Sequence, residues 1–176
     1  LALRFGVGLL GSGRIYALRH RWFLRGHQHD LGLVLLALWL FTQLNPETLL
    51  FGNGDLRDLL EQPPAALHPA EVFIQMEAVV AACNLIAIGL FASCLTQDDQ
   101  PLRRMLLALL LGALALKTVA VGVLLKAQNV FVWLTPGAFL GLASGAGILM
   151  LAVMLPRAAR LALAGLLLMA VTVLVN

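Results

Sequence analysis

The chain consists of long apolar runs separated by short polar turns, a pattern typical of membrane-spanning helices. Five complete runs occupy residues 31–44, 71–95, 105–125, 130–155 and 161–175. A helix needs about 20 apolar residues to cross a hydrocarbon core of roughly 30 Å, and the three middle runs are that long. The pattern predicts an all-α fold, a polytopic transmembrane helix bundle with about five complete spans.

Two further segments precede the first complete run. Residues 1–13 cover only ~20 Å as a helix, so we interpret them as the end of a truncated membrane helix. Residues 14–30 mix arginines with aromatic side chains, which is typical of a basic cytoplasmic segment at the level of lipid headgroups. Asp30 is the expected N-cap of the first span. Residues 31–176 form the predicted bundle, with a proline-containing outer loop at 46–70.

The composition excludes several classes of protein. Hydrophobic residues make up 61% of the 176 residues and charged residues 12%, with a mean hydropathy of +0.93. Soluble domains average about 45–50% apolar and ~25% charged residues, so an ordinary soluble enzyme is excluded. The net charge of +3 does not indicate nucleic-acid binding, because the basic residues are spread over separate turns. Cys83 and Cys94 lie ~16 Å apart along a helix, too far for a disulfide between them.

The distribution of basic residues predicts the orientation in the membrane. Alternate turns on one side hold Arg14, Arg19, Arg21, Arg25, Arg103, Arg104, Arg157 and Arg160, whereas those on the other side hold only Arg57 and Lys126. Cytoplasmic turns carry the excess of Lys and Arg. The arginine-rich turns, including residues 14–30, are therefore predicted to be cytoplasmic, and the 46–70 loop to face outward.

Two ionisable residues fall inside predicted spans, where each costs ~2.5–3.5 kcal/mol unless it is compensated. Glu77 lies ~9 Å below the outer surface and Lys117 ~12 Å below it, so the two are predicted to form an ion pair. Gln43 adds a polar group at the outer end of the first complete span, and Asn84 lies on nearly the same helical face as Glu77, ~10 Å deeper. Together these four residues predict an outward polar cleft that binds a ligand. The alternative is a packing clamp in which the amides only form hydrogen bonds between helices.

The fourth span carries glycines at every fourth position. Gly137, Gly141 and Gly145 form one stripe, and Ala143 with Gly147 forms an adjacent one. Small residues at this spacing allow helix backbones to approach closely. The stripe predicts helix packing, either within the bundle or against another membrane protein.

The sequence offers no arrangement typical of catalysis or metal binding. Ser144 lies in a glycine-rich span, but no histidine occurs in a complete span to serve as its base. His27 and His29 are only a two-ligand fragment. We therefore predict no catalytic residues, no metal, no cofactor and no nucleic-acid partner, and take membrane lipids as the expected partners.

One stretch resembles a known family. The sequence LWLFTQLNPETLLFGNGDLRDLL at residues 38–60, preceded by GSGRIYALRHRWF, is similar to the later part of VanZ-like membrane proteins. The resemblance implies a multi-pass protein of the bacterial inner membrane, from a family associated with glycopeptide antibiotic resistance and without an established enzymatic activity. The polar, arginine-containing core motif of that family is absent here. The chain would then correspond to a C-terminal portion, and no functional residue is carried over.

Three functional hypotheses follow. The first is a non-enzymatic VanZ-like protein that binds lipid or envelope-active compounds through the outward cleft. The second is a transport component in which Glu77 carries a proton. The third is a structural subunit that packs against another membrane protein through its glycine stripe.

Overall fold

The computed structural model describes residues 22–24, 26–45, 70–97, 101–124, 131 and 133–175. These residues form five helices: α1 His27–Thr42, α2 Ala70–Leu95, α3 Leu102–Leu124, α4 Pro136–Ala152 and α5 Arg157–Val175. Among these residues the regular secondary structure is helical, apart from an isolated bridge between Phe23 and Thr96, which confirms the all-α prediction. The predicted truncated helix at 1–13, most of the 14–30 segment and the outer loop lie outside the described residues.

Proline-led first turns explain why three helices begin away from their predicted boundaries. The Pro101 carbonyl accepts from the N–H of Arg104, and the Pro156 carbonyl accepts from that of Arg160. Helix α3 therefore begins three residues before its predicted apolar run, and α5 begins four residues before its run. The hydropathy pattern misses these first turns because they contain arginines. Helix α4 begins after the predicted residue 130, with Thr135 as N-cap and Pro136 in its first turn, where a proline loses no helical hydrogen bond.

The prediction of Asp30 as the N-cap of the first helix is wrong. Helix α1 begins at His27 and Gly26 takes the N-cap position, so Asp30 lies within the first turn. The carbonyl of Gly26 accepts from the N–H groups of His29 and Asp30. Gly26 has a φ of 143°, which is accessible to glycine and rarely to other residues, so the chain turns into the helix before Asp30.

Helix α2 is the centre of the bundle. It packs along α4 and α5 and touches α1 and α3 over shorter stretches. Of its apolar stretch, 72% is buried inside the bundle, against 28% for α3. The surrounding helices instead expose large apolar side chains, among them Phe41, Leu111, Leu151 and Val173.

The helix ends meet in two groups. At the arginine end, defined by Trp22–Leu24 with the end of α2 and the starts of α3 and α5, the N–H of Leu24 donates to the carbonyl of Leu95. The Thr96 hydroxyl reaches the Met105 sulfur there. The loop end comprises the ends of α1 and α3 and the starts of α2 and α4.

Two helices within the described residues are long and apolar enough to cross a bilayer. They are Glu71–Leu95 and Leu102–Val123, which correspond to α2 and α3. The apolar stretches of α1 and α4 are shorter, at His29–Thr42 and Pro136–Ala152. By length and composition the structure therefore gives two candidate spans where the sequence predicts about five.

Candidate functional site at the loop end

The Glu77 carboxylate lies at the start of α4. Its Oε1 accepts a hydrogen bond of 2.6 Å from the Thr135 hydroxyl. The Thr135 Oγ1 in turn accepts from the N–H of Ala138 at 3.0 Å and so caps the helix. Because the N-terminal end of a helix carries a partial positive charge, a carboxylate at this position stabilises it.

Lys117 forms a hydrogen bond just beyond the end of α1. Its side chain is only 1% exposed, and its Nζ donates to the Asn45 carbonyl at 2.7 Å. Asn45 follows the C-cap residue Gln43 by two positions. The C-terminal end of a helix carries a partial negative charge, which favours a nearby ammonium group.

The predicted ion pair between Glu77 and Lys117 is not formed in the structure. Each charge faces a helix end of opposite polarity: Glu77 the start of α4, and Lys117 the end of α1. Sequence depth placed the two residues at a similar level but gave no information about which neighbour each would meet. The helix starts and ends were the signal that would have suggested these partners.

The two predicted amide residues occupy different surroundings. Gln43 is fully buried, and its Nε2 lies 3.2 Å from the Thr42 hydroxyl, at the same helix end that Lys117 reaches. Asn84 is also buried, but its amide donates to the Val80 carbonyl one turn earlier on α2. Gln43 therefore lies at the helix end that the Lys117 side chain reaches, whereas Asn84 is hydrogen-bonded to its own helix.

Trp133 also lies at the loop end and is not among the predicted site residues. It lies two residues before Thr135 and packs against the cluster of Leu85, Ala113 and Ala138, where α2, α3 and α4 meet. Its indole Nε1 is buried and has no hydrogen-bond partner in the part of the chain that the structure describes. Ala113 precedes Lys117 by one helical turn on α3.

The glycine stripe of α4 faces α2. A Cβ added at Gly141 would lie 2.6 Å from the Ala78 carbonyl oxygen and 2.7 Å from the Ala81 Cβ. One added at Gly145 would lie 3.0 Å from the Ala82 Cα, and one at Gly137 would collide with the Glu77 carboxylate. Only glycine therefore permits this spacing of the two backbones.

The remaining polar residues in the described part show no catalytic arrangement. The Ser144 hydroxyl donates to the Leu140 carbonyl on its own helix. No group of three His, Cys, Asp or Glu side chains suited to a metal ion occurs among the described residues. Among the groups that the described residues of the loop end offer are the carboxylates of Glu71 and Glu77, the Lys117 ammonium group and the buried indole N–H of Trp133.

Comparison with family models, with curated proteins and with solved structures found no match to this chain.

Proposed function

We propose that the chain is a polytopic membrane protein of the VanZ-like type, non-enzymatic, which binds an amphiphilic envelope lipid or lipid-like compound at its loop end. The exposed apolar side chains of α1, α3, α4 and α5 support membrane insertion, because such extensive apolar surface is unusual in water. The hydrogen bonds of two exposed hydroxyl groups also support membrane insertion. Ser144 and Thr172 donate to carbonyls one turn earlier, which leaves no such donor unsatisfied in lipid.

The proposal places five crossings in the bacterial inner membrane, and the alternation of helix starts and ends between the loop end and the arginine end supports their number. The described arginines Arg103, Arg104, Arg157 and Arg160 belong to the starts of α3 and α5, at one end of the bundle. With the excess of arginine in the cytoplasm, this end faces inward and the loop end faces outward. The shorter helices α1 and α4 then cross with their polar flanking residues at the interfaces.

The observation that supports the binding site is the buried indole N–H of Trp133, which has no hydrogen-bond partner among the residues that the structure describes. A buried donor without an acceptor is costly, and a ligand oxygen would satisfy it. Lys117 follows Ala113 of the cluster that Trp133 packs against by one helical turn, and an ammonium group favours a phosphate or carbonyl oxygen. Tryptophan is also common where a membrane protein meets lipid headgroups. The ligand class is therefore an amphiphile with an oxygen-rich headgroup.

The test is native mass spectrometry of the protein extracted with its own lipids, comparing wild type with Trp133→Phe. Phenylalanine keeps an aromatic ring and removes only the donor. We expect a retained lipid species in the wild type and a marked loss of that species in the variant. The double change Glu77→Gln, Lys117→Gln should reduce retention as well.

Thermal unfolding separates this proposal from a purely structural tryptophan. If the indole N–H has no ligand, Trp133→Phe removes an unsatisfied donor, so stability stays the same or rises and lipid retention is unchanged. That result would refute the binding site. Trp22→Phe at the opposite end is the matched control and should not alter retention.

A further inference from the structure

Arg160 lies in the first turn of α5, at the arginine end of the bundle, and its side chain is half-buried. Its Nη1 donates to the Ser93 hydroxyl of α2 at 2.9 Å. The Ser93 side chain is only 2% exposed, and its own O–H donates to the Leu90 carbonyl at 2.6 Å. These contacts hold the guanidinium group of Arg160 against the last turns of α2.

The guanidinium group of Arg160 keeps an unused donor in this position. Its Nε is buried and has no hydrogen-bond partner among the residues that the structure describes. The N–H of Nε and one N–H of Nη2 point from the same edge of the planar group, whereas Ser93 accepts from Nη1. Because a buried N–H without an acceptor is costly, this edge favours a ligand that offers two oxygen atoms.

The charge of Arg160 has no carboxylate partner in the part of the chain that the structure describes, since Ser93 is a neutral acceptor. The first turn of α5 contains no acidic residue, although the N-terminal end of a helix carries a partial positive charge. Arg157 places a second guanidinium group in the same turn, where it donates to the Thr96 carbonyl. The start of α5 therefore favours an anion, and the planar guanidinium edge suits a phosphate group.

Exposed apolar side chains flank this position along the chain. Leu155 lies just before α5 and Leu161 directly follows Arg160, and both are exposed. A cation beside exposed apolar surface suits an amphiphile, whose anionic headgroup meets the arginine while its acyl chains lie along the outside of the helix. A phospholipid has both parts, whereas a free phosphate ion has only the first.

We infer that Arg160 anchors the phosphate group of a phospholipid in the leaflet that borders the arginine end. Two phosphate oxygens accept from Nε and Nη2, while Ser93 keeps its bond to Nη1. The acyl chains remain outside the bundle, so the site needs no internal cavity. The inference rests on the proposed membrane insertion, and not on the Trp133 site at the opposite end.

The test is a native mass spectrometry titration of the delipidated full chain with phosphatidylglycerol and with diacylglycerol of the same acyl composition, which lacks the phosphate. Arg160→Gln should bind phosphatidylglycerol about tenfold more weakly and diacylglycerol almost unchanged. Arg160→Lys keeps the charge but has neither the Nε donor nor the planar fork, so it should weaken phosphatidylglycerol binding about threefold. Arg103→Gln is the matched control, because it removes the same charge from an exposed position at the same end, and should change the affinity less than about twofold.

Three outcomes would overturn the inference. An unchanged affinity for phosphatidylglycerol in Arg160→Gln would remove the site, and equal weakening in Arg103→Gln would reduce it to general charge attraction. Complete displacement of the lipid by inorganic phosphate at the same concentration would indicate a site for the free ion. If Arg160→Gln does not fold, Arg160→Lys decides, with Arg103→Lys as its control. Trp133→Phe should leave this titration unchanged, so failure of one site is distinguishable from failure of the other.

Discussion

The two sides of α2 are packed by different means. Toward α4, the contact is between backbones: Gly141 lies against Ala78 and Ala81, and any larger residue would collide. Toward α3, the contact is made by leucines, and a cavity remains between them. Close approach of small residues maximises dispersion contact where lipid offers no hydrophobic driving force between helices. Large flexible side chains pack less closely, and a cavity of about 20 Å³ remains on the α3 side.

The largest expected effect comes from disrupting the close contact between α2 and α4. Gly141→Leu should lower the free energy of unfolding in detergent by about 3 kcal/mol, because the side chain must displace backbone atoms of α2. Gly147→Leu is the matched control on the same helix. Gly147 is exposed and an added Cβ meets nothing within 4 Å, so this change should cost far less. Equal losses in the two variants would contradict backbone packing.

The open Gly147 also affects the partner-protein hypothesis. The stripe of Gly137, Gly141 and Gly145 faces α2 of the same chain. A second membrane protein would instead meet the adjacent exposed residues Ala143 and Gly147. That hypothesis stays a prediction, now restricted to a different face of α4.

The next effect concerns the α3 side of α2, where Lys117 of α3 forms a hydrogen bond just beyond the end of α1. Lys117→Leu should lower the free energy of unfolding by about 2 kcal/mol, because it removes a charge-assisted hydrogen bond to the Asn45 carbonyl. Hydrogen exchange should accelerate in α3 before it does so in α4. Thr118→Val is the control, since the Thr118 hydroxyl donates to the Leu114 carbonyl of its own helix. Unchanged exchange in α3 would show that Lys117 does not anchor this helix.

A smaller effect of opposite sign is expected from filling the cavity. In delipidated detergent, Leu110→Phe should raise the free energy of unfolding by about 0.5–1 kcal/mol, because it replaces empty space with apolar contacts. Leu111→Phe, one residue further on the exposed face, should have almost no effect. A loss of stability in Leu110→Phe would mean that this side of α2 is already closely packed.

The sequence predicts the existence of the helices better than their starts. Hydropathy identifies the residues that avoid water, and α2 at Ala70–Leu95 therefore agrees closely with its run. The first turns of α3 and α5 contain Arg103 and Arg157, which hydropathy excludes from the helix although the backbone is already helical. The glycine spacing of α4 predicted a packing face, but only the three-dimensional structure identifies α2 as the helix it meets.

The candidate site was less predictable because polar partners in a bundle include helix ends as well as side chains. The depth of a residue follows from its position in a span, but its neighbour depends on rotation and packing of the helices. Arg157 at the opposite end of the bundle makes the same point, since its guanidinium donates to the Thr96 carbonyl after the end of α2. Three charged side chains thus satisfy backbone groups or caps of neighbouring helices.

The smallest expected effect tests this view of the charges directly. Glu77 belongs to the tight α4 side and Lys117 to the α3 side, with no bond between them. In a double-mutant cycle with Glu77→Gln and Lys117→Leu, the changes in unfolding free energy should therefore add to within about 0.5 kcal/mol. An ion pair would instead couple them, because either single change would strand the remaining charge and the second change would then cost little. A coupling free energy well above that limit would show that Glu77 and Lys117 form an ion pair after all, and that this pair links the α3 side of the bundle to α2.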